Sequence, residues 1–295
     1  TTAKGSIISK SAIKSIKLGP SISFFSQELK KRGKTVINCF CGSDSRWYFA
    51  AKQEFEKYGM MTLEYDDNHN YSTDGLMRKL SHIRMAERYC DAIFSRQDQS
   101  QLQLRPYYRW NMMVIPEQIP HHPIQRKNRP KILHAPSNRK VKGTEFVLNA
   151  FEKLKKEGLD FEVVLLENVP NEKAIEIYSD ADIIIDQLIV PGTGKFATEG
   201  LAAGKVVMAH MAYDNYPQKN PKDCPIIDVN SSTIYQELKS IIEDLPRRQR
   251  LANLGRDYVK KYLDVQIFCK TILDIHNKKE KPFDYKPDFF REHFI

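Results

Sequence analysis

The chain has 295 residues, of which 41% are hydrophobic and 28% are charged, a globular composition that excludes disordered, collagenous and low-complexity classes. Lys and Arg number 46 against 37 Asp and Glu, so the net charge of +9 favours an anionic ligand, an anionic membrane, nucleic acid or simply a solvated basic surface. Five Cys are too few for a disulfide framework, and apolar runs such as 163–166 are far shorter than the ~20 residues of a membrane-spanning helix, so we expect a cytoplasmic protein.

The first part of the chain alternates weakly between helical and strand patterns. Helices are predicted at 23–31, 44–58 and 76–89, and strands at 35–40, 60–65, 91–95 and 112–115. This pattern indicates a small or incomplete α/β domain, which we place at residues 1–118. The chain begins with Thr1 rather than Met, which is consistent with a fragment of a longer chain.

A proline-rich and basic segment at 115–131 predicts the boundary between two domains, since it holds four prolines, four Lys or Arg residues and little apolar periodicity. The second domain is placed at 131–276 and is followed by a tail at 277–295. Strands are predicted at 131–135, 161–166, 182–186, 205–210 and 225–229, and helices at 143–157, from 171, and at 196–203, 232–244, 247–262 and 265–276. This alternation predicts an α/β fold with a parallel sheet covered on both faces.

Three loops that follow predicted strands hold candidate ligand-binding residues, because ligands bind outside the carboxyl ends of parallel strands. In the first loop, at 190–199, Gly192 and Gly194 let the backbone approach a ligand, and the next helix offers free N–H groups to an anion. These glycines match a GxGxxA dinucleotide pattern, with Asp214 further on, and are equally consistent with simple turns.

The other two loops carry charged residues. The loop at 137–144 places three cations ahead of a helix, which suits a diphosphate or an ordinary solvated surface. The loop at 40–46 contains Gly42, which permits a tight turn, and Asp44, which is predicted to cap the next helix. Cys39 and Cys41 are interpreted as core thiols, since no second pair of cysteines completes a metal site.

Residues 181–207, ADIIIDQLIVPGTGKFATEGLAAGKVV, carry a resemblance to a known family. Without a gap they resemble the donor-site motif of GT-B glycosyltransferases, in particular the large retaining family (group 1, family 4-like) that includes many bacterial polysaccharide enzymes. The resemblance implies two Rossmann-like domains, the second of which binds a nucleotide sugar. It also implies that Glu199 binds the ribose hydroxyls and that Gly194 and Lys195 belong to the phosphate loop.

The donor site matches the family in part. Lys142 and Gly143 correspond to the family's Lys-Gly pair, whose Lys binds the diphosphate. The family's Arg upstream of this Lys is missing, and Arg139 is the candidate replacement. Pro191 stands where the family has the Glu that touches the donor sugar, and Thr193 stands where it has Phe.

In the first domain, CGSDSR at 41–46 resembles the HGSDxR motif of such enzymes, which implies acceptor-side roles for Gly42 and Arg46. We single out Asp44 as the candidate general base. IPEQI at 115–119 resembles the VIPNG-type stretch between the two domains. The family's usual opening strand and Gly-rich acceptor loop are absent from this sequence.

Together these residues predict a glycosyltransferase that moves a sugar from a UDP- or GDP-sugar to a glycan or lipid-linked acceptor. Retention and independence from metals and other cofactors are what the family implies, and no nucleic-acid partner is expected. Two alternatives stay open. One is an NAD(P)-binding oxidoreductase, which depends on GxGxxA alone, and the other is a non-catalytic glycosyltransferase-like binding module, favoured by Pro191, Cys41 and the short first domain.

The segment 4–18, KGSIISKSAIKSIKL, mixes lysines with isoleucines. On a helix Lys10, Lys14 and Lys17 share one side, which suits peripheral contact with anionic lipid at the inner face of a membrane. The alternative is a solvated helix whose isoleucines pack on the first domain.

Overall fold

The computed structural model describes residues 20–61, 72–109, 111–124, 129–167, 177–212, 222–279 and 281–294. They form two compact units. Of the described residues, unit 1 holds 20–57, 72–109 and those from 273 onward, and unit 2 holds 58–61 and 111–272.

The helices and strands follow one another in the order of the chain. The strands are β1 Ile37–Cys39, β2 Ala92–Ser95, β3 Tyr108–Arg109, β4 Lys131–His134, β5 Glu162–Leu165, β6 Ile183–Ile185, β7 Val206–Ala209 and β8 Ile227–Asp228. The helices are α1 Pro20–Lys31, α2 Tyr48–Lys57, α3 Thr73–Tyr89, α4 Arg139–Lys142, α5 Thr144–Lys156, α6 Lys195–Ala202, α7 Ile234–Glu243, α8 Leu245–Tyr258, α9 Val265–His276 and α10 Phe289–Phe294. A π-helical turn, Val259–Leu263, continues α8.

Unit 1 contains a three-stranded parallel sheet in the order β1-β2-β3. Its core joins residues of the strand region, such as Phe40 and Ile93, to Leu80 and Ile83 of α3 and to Phe290 of α10. The predicted small α/β first domain is confirmed by this sheet.

Two predicted strands of the first part have different outcomes. The prediction at 112–115 is wrong, because Val114 forms only an isolated bridge with Asp264. The prediction at 60–65 lies mostly outside the described residues, and residues 60 and 61 are not in a strand. Strand β3 was not predicted, since two residues are too short for an alternating pattern.

Unit 2 contains a five-stranded parallel sheet in the order β5-β4-β6-β7-β8. Successive strand residues point to opposite faces, so Ile183 and Ile185 pack with α5 and α7, whereas Ile184 packs with α6. Both faces are therefore apolar, which explains the unbroken hydrophobic runs in the sequence and confirms the predicted doubly covered sheet.

The boundaries of the two units differ from the predicted domain boundaries at 118 and 131. Residues 111–118 join unit 2, since the Val114 amide donates to the Leu263 carbonyl and the Val265 amide donates to the Val114 carbonyl, both at 3.0 Å. The residues predicted as a tail join unit 1. Tyr107 pairs antiparallel with Tyr285, and Phe289 and Phe290 are buried in the unit 1 core.

Candidate functional site

Three segments of unit 2 meet at the carboxyl ends of β4 and β6. The first is the short helix α4 with Gly143, the second is the pair Asp186-Gln187 directly after β6, and the third is the loop 190–194 that leads into α6. The Leu188 amide donates to the Lys142 carbonyl at 3.2 Å, which fixes the first two segments to each other. This is the edge of a parallel sheet where ligands bind in open α/β folds.

Gly143 lets the chain turn sharply between α4 and α5. Its φ of 69° lies in the left-handed region that side chains rarely adopt. An added Cβ would also lie 3.0 Å from the Cβ of Leu188. Glycine at this position therefore brings Lys142 against the end of β6.

Lys142, the last residue of α4, points into the fold and forms an ion pair with Asp186. Its ammonium also donates to Gln187 Oε1 at 3.2 Å. The second carboxylate oxygen of Asp186 accepts the Gly194 amide at 2.8 Å. The Asp186 side chain is fully buried and that of Lys142 is 11% exposed, so a lysine ammonium and a backbone amide converge on one buried carboxylate.

Gln187 shapes the loop that precedes α6. Its side-chain amide donates to the carbonyls of Val190 at 2.9 Å and Gly192 at 2.7 Å. The Gly192 amide in turn donates to the His210 carbonyl at 2.7 Å. The Gln187 side chain therefore helps to fix the conformation of this loop, in addition to the turns of its backbone.

Helix α6 begins beside the Lys142–Asp186 pair and carries Glu199. Gly194 caps this helix, and a Cβ there would lie 2.8 Å from Asp186 Oδ2, so only glycine allows the approach. Glu199 is buried, and its carboxylate lies 3.5 Å from the Lys195 ammonium. Burial raises the pKa of Glu199 and outweighs the opposing attraction of Lys195.

Tyr178 lies close enough to Glu199 and Asp186 for both carboxylates to shift its pKa. Burial raises its pKa to about 12, and the charges of Glu199 and Asp186 act in the same direction. Tyr178 also packs against Phe196 of α6, with ring centroids 4.9 Å apart and ring planes tilted by 56°. The neutral phenol therefore forms part of the wall beside Glu199.

His134 at the end of β4 has a structural role. One ring nitrogen lies 2.9 Å from the Ile185 carbonyl and the other lies 2.9 Å from the Thr144 hydroxyl. Burial lowers the pKa of His134, which favours the neutral ring. The imidazole therefore connects two strand ends to the start of α5.

Arg139 stands apart from the other predicted donor-site residues. Its guanidinium is exposed to solvent and pairs with Glu145 at 2.9 Å and Glu167 at 3.0 Å. The structure therefore brings Lys142, Gly143 and Gly194 together and places Glu199 on the adjoining helix, whereas Arg139 is held on the surface by two carboxylates.

In unit 1 the predicted cap at Asp44 is wrong. Helix α2 begins at Tyr48, and the Asp44 carboxylate instead accepts the amides of Gly42 at 2.8 Å and Cys41 at 3.1 Å. Gly42 has a φ of 153°, a backbone conformation that glycine adopts readily and other residues rarely do. This conformation lets the loop fold back on Asp44. The prediction that Cys41 is a core thiol is also wrong, because Cys41 follows the strand and is exposed.

Arg46, predicted on the acceptor side, is buried and forms an ion pair with Asp98. Arg96 also contacts the Asp98 carboxylate, at 3.0 Å. Burial acts to raise the pKa of Asp98, but the guanidiniums of Arg96 and Arg46 hold that pKa below its usual range. Arg46 therefore anchors the 40–46 loop to the segment after β2.

Asp186 and Gln187 were missed as site residues in the sequence. Asp186 is the last residue of the strand predicted at 182–186 and Gln187 follows it, and a carboxylate at the carboxyl end of a buried parallel strand is a signal that could have identified them. Within the part of the chain that the structure describes, no cluster of three His, Cys, Asp or Glu side chains could hold a metal ion.

Comparisons with known proteins give similarity only at the level of structure. No protein-family model matches the chain, and no curated protein matches it by sequence. A variant of Staphylococcus aureus TarM, solved with UDP, fondaparinux and α-GlcNAc-glycerol, has a TM-score of 0.54 at 8% identity. Anabaena HepE, solved with UDP-glucose, has a TM-score of 0.53 at 11% identity.

The coverage of these structures is uneven. The TarM match covers 72% of this chain and 48% of TarM, so the chain spans about half the length of that protein. The HepE match covers 88% of this chain and 76% of HepE. Sucrose-phosphate synthase from Thermosynechococcus elongatus matches with a TM-score of 0.51 at 12% identity, over 88% of this chain and 77% of that one.

This chain has the GT-B fold. The predicted fold class of two Rossmann-like α/β domains is thereby confirmed.

Proposed function

We propose that this GT-B chain is a glycosyltransferase whose unit 2 binds the diphosphate and ribose of a UDP- or GDP-sugar. The main support is the convergence of Lys142 and the Gly194 amide at the start of α6, with Glu199 on the same helix. The similar HepE and TarM structures contain UDP-glucose and UDP, respectively.

In this proposal the positive end of α6 and the Lys142 ammonium stabilise the leaving diphosphate. Negative charge grows on its oxygens as the sugar C1–O bond breaks, and preorganised donors at that point lower the barrier. Because Asp186 neutralises part of the Lys142 charge and also accepts the Gly194 amide, the other amides of the first turn of α6 supply a larger share of this stabilisation than Lys142 does. Glu199, ionised, accepts the ribose hydroxyls.

The acceptor hydroxyl oxygen forms the new bond to C1 while the bond from C1 to the diphosphate oxygen breaks. In the retaining route the acceptor approaches on the face of the leaving group, so the leaving oxygen can take the proton. Asp44 is the alternative proton acceptor. Since its carboxylate also binds two backbone amides, Asp44→Asn, which keeps one oxygen for those amides, separates the two roles. We expect no metal requirement, which an unchanged rate in EDTA would support.

The acceptor in this proposal is a glycan or a lipid-linked glycan. None of the helices that the structure describes is long and apolar enough to cross a membrane. The basic segment 4–18 lies outside the described residues, and we propose that it gives peripheral contact with the inner face of an anionic membrane. Co-sedimentation with anionic but not with neutral vesicles, lost at high salt, tests this contact.

A non-catalytic nucleotide-binding module is the second candidate, because Asp186 pairs with the cation expected to face the diphosphate. Pro191 also favours the binding module, because it stands at the position where the family has its first Glu. Binding of UDP without release of sugar from any UDP-sugar would favour the module over the enzyme.

A thermal-shift screen of nucleotides tests the proposed donor site. UDP or GDP at 100 times its dissociation constant should stabilise the protein by about 2.7 kcal/mol, and NADH should not stabilise it. Stabilisation by NADH, with none from any nucleoside diphosphate, would favour the oxidoreductase alternative instead.

A further inference from the structure

A small open cavity of about 190 Å³ lies in unit 1, whereas the nucleotide site proposed above belongs to unit 2. It is lined by Asp44 in the loop after β1 and by one side of the first half of α3, namely Gly75, Arg78, Lys79 and His82. Helix α3 leads into the start of β2, so its first turns lie at the carboxyl edge of the unit 1 sheet. A contact between Lys79 of α3 and the Ser43 carbonyl agrees with this placement.

Basic groups dominate the lining of this cavity. Arg78 and Lys79 are cationic, and His82 can donate from a ring nitrogen. Among the described lining residues the carboxylate is that of Asp44, which already accepts the Gly42 amide at 2.8 Å and the Cys41 amide at 3.1 Å, so its negative charge is stabilised from the side of the loop. Two cations and one hydrogen-bonded carboxylate thus line the described part of the cavity, a balance that favours an anion.

The loop and the helix hold the cavity in shape from both sides. The Lys79 ammonium donates to the Ser43 carbonyl, which connects α3 to the loop. The His82 ring packs edge-on against buried Phe40, with ring centroids 5.4 Å apart. The volume is below the ~300 Å³ at which pockets for drug-sized ligands begin, so the cavity suits one compact charged group.

We propose that this cavity binds a phosphate group carried by the sugar acceptor. The inference rests on the proposed glycosyltransferase function and specifies the class of acceptor, a phosphorylated one. Arginine and lysine bind phosphate oxygens through charge-assisted hydrogen bonds, and the cavity is large enough for a phosphate with part of the attached sugar. The phosphate can belong to a soluble sugar phosphate or to a lipid headgroup, since both present the same chemistry.

The test measures binding of glucose 6-phosphate and of glucose by titration calorimetry, and capture by vesicles with phosphatidic acid or with phosphatidylserine at equal negative charge, so that general contact of segment 4–18 with anionic lipid is the same in both. Arg78→Gln/Lys79→Gln removes both cations, and Arg88→Gln, an exposed cation at the far end of α3, is the matched control. Arg78→Gln alone, at an exposed position, serves if the double variant does not fold.

We expect glucose 6-phosphate to bind and glucose not to bind, with affinity reduced roughly tenfold or more by the double variant and unchanged by Arg88→Gln. Capture by phosphatidic acid vesicles alone, lost in the same variants, would assign the phosphate to a lipid headgroup. If neither phosphate source binds, or if the cavity variants bind as the wild type does, the proposal is overturned.

UDP titration of the same proteins separates this proposal from the proposed function. The cavity variants should bind UDP like the wild type, because Arg78 and Lys79 belong to unit 1 and the nucleotide site belongs to unit 2. A wild type that binds UDP but no phosphate compound loses only the acceptor proposal. A wild type that binds glucose 6-phosphate but no nucleotide keeps the phosphate cavity and loses the donor site.

Discussion

Lys142 and Asp186 carry opposite charges at the point where the proposed donor diphosphate binds. Their side chains are buried, so removal of either partner leaves an uncompensated charge, which costs about 3–5 kcal/mol. We expect Lys142→Met and Asp186→Asn each to destabilise the protein by about that amount, and the double variant to lose less than the sum. Urea unfolding measures this, and Asp180→Asn in the exposed pair with Lys131 is the control.

The same variants should affect nucleotide binding in opposite directions. Asp186→Asn removes a negative charge beside the phosphate site and should tighten UDP binding, whereas Lys142→Met should weaken UDP binding far more than uridine binding. Titration calorimetry with UDP and uridine distinguishes the effects. Equal losses for UDP and uridine in Lys142→Met would assign Lys142 to the fold and not to the phosphate.

The raised pKa of Glu199 predicts that the stability of the protein depends on pH. Burial raises its pKa above the ordinary value of 4.5, so the native state holds the proton more tightly than the unfolded chain. Its contribution to stability is therefore complete below 4.5 and is lost as the pH rises through the higher folded pKa. As the pH rises from 4.5 through the folded pKa of Glu199, the wild type should lose stability relative to the Glu199→Gln variant. Urea unfolding at a series of pH values measures this loss. A constant difference across the range would contradict the raised pKa.

At the scale of elements, the loop from β6 to α6 depends on a close approach at Gly194. A methyl group there would lie 2.8 Å from Asp186 Oδ2 and 3.1 Å from Lys142 Nζ. Gly194→Ala should therefore displace the Lys142 ammonium as well as the carboxylate, and the loss of the Lys142 position should weaken UDP binding. The control is Gly200→Ala on the same helix, which meets Ile184 at 2.6 Å and should reduce stability while UDP affinity is kept. Equal UDP affinities in both variants would contradict this view of the loop.

The elements that the sequence predicts well are those whose pattern reflects burial. Strands β6 and β7 are unbroken, buried apolar runs because both faces of the sheet are covered. Helix α9 also has the predicted bounds, 265–276. Helix α2 starts later than predicted because Asp44 binds backbone amides of its own loop instead of capping the helix. Strand β3 is set by long-range pairing with β2, which no local pattern records.

The candidate site was predictable only where a motif covers it. Lys142, Gly143, Gly194 and Glu199 follow from the family resemblance, and the structure brings the first three together. The ion pair between Lys142 and Asp186 joins residues 44 positions apart, so spacing alone does not reveal it. The surface position of Arg139 likewise depends on Glu145 and Glu167, whose approach is a property of the folded chain.

At the scale of the molecule, the last residues of the chain complete unit 1. Phe290 is 2% exposed in a core shared with α3, whereas Phe283 is 46% exposed. Phe290→Ala should destabilise unit 1 by about 3–5 kcal/mol, and Phe283→Ala should cost much less. Urea unfolding followed by tryptophan fluorescence, to which Trp47 in the core of unit 1 contributes, measures the difference. Similar midpoints for both variants would contradict a structural role for residues 281–294.

Amide hydrogen exchange with and without UDP tests the proposed donor site most directly. UDP should slow exchange at 142–144 and 192–199, where Lys142 and the start of α6 are proposed to hold the diphosphate, and Lys142→Met should reduce that protection. NADH should leave the same amides unchanged. Protection by NADH at these amides, or binding of UDP that leaves both segments unprotected, would contradict the account.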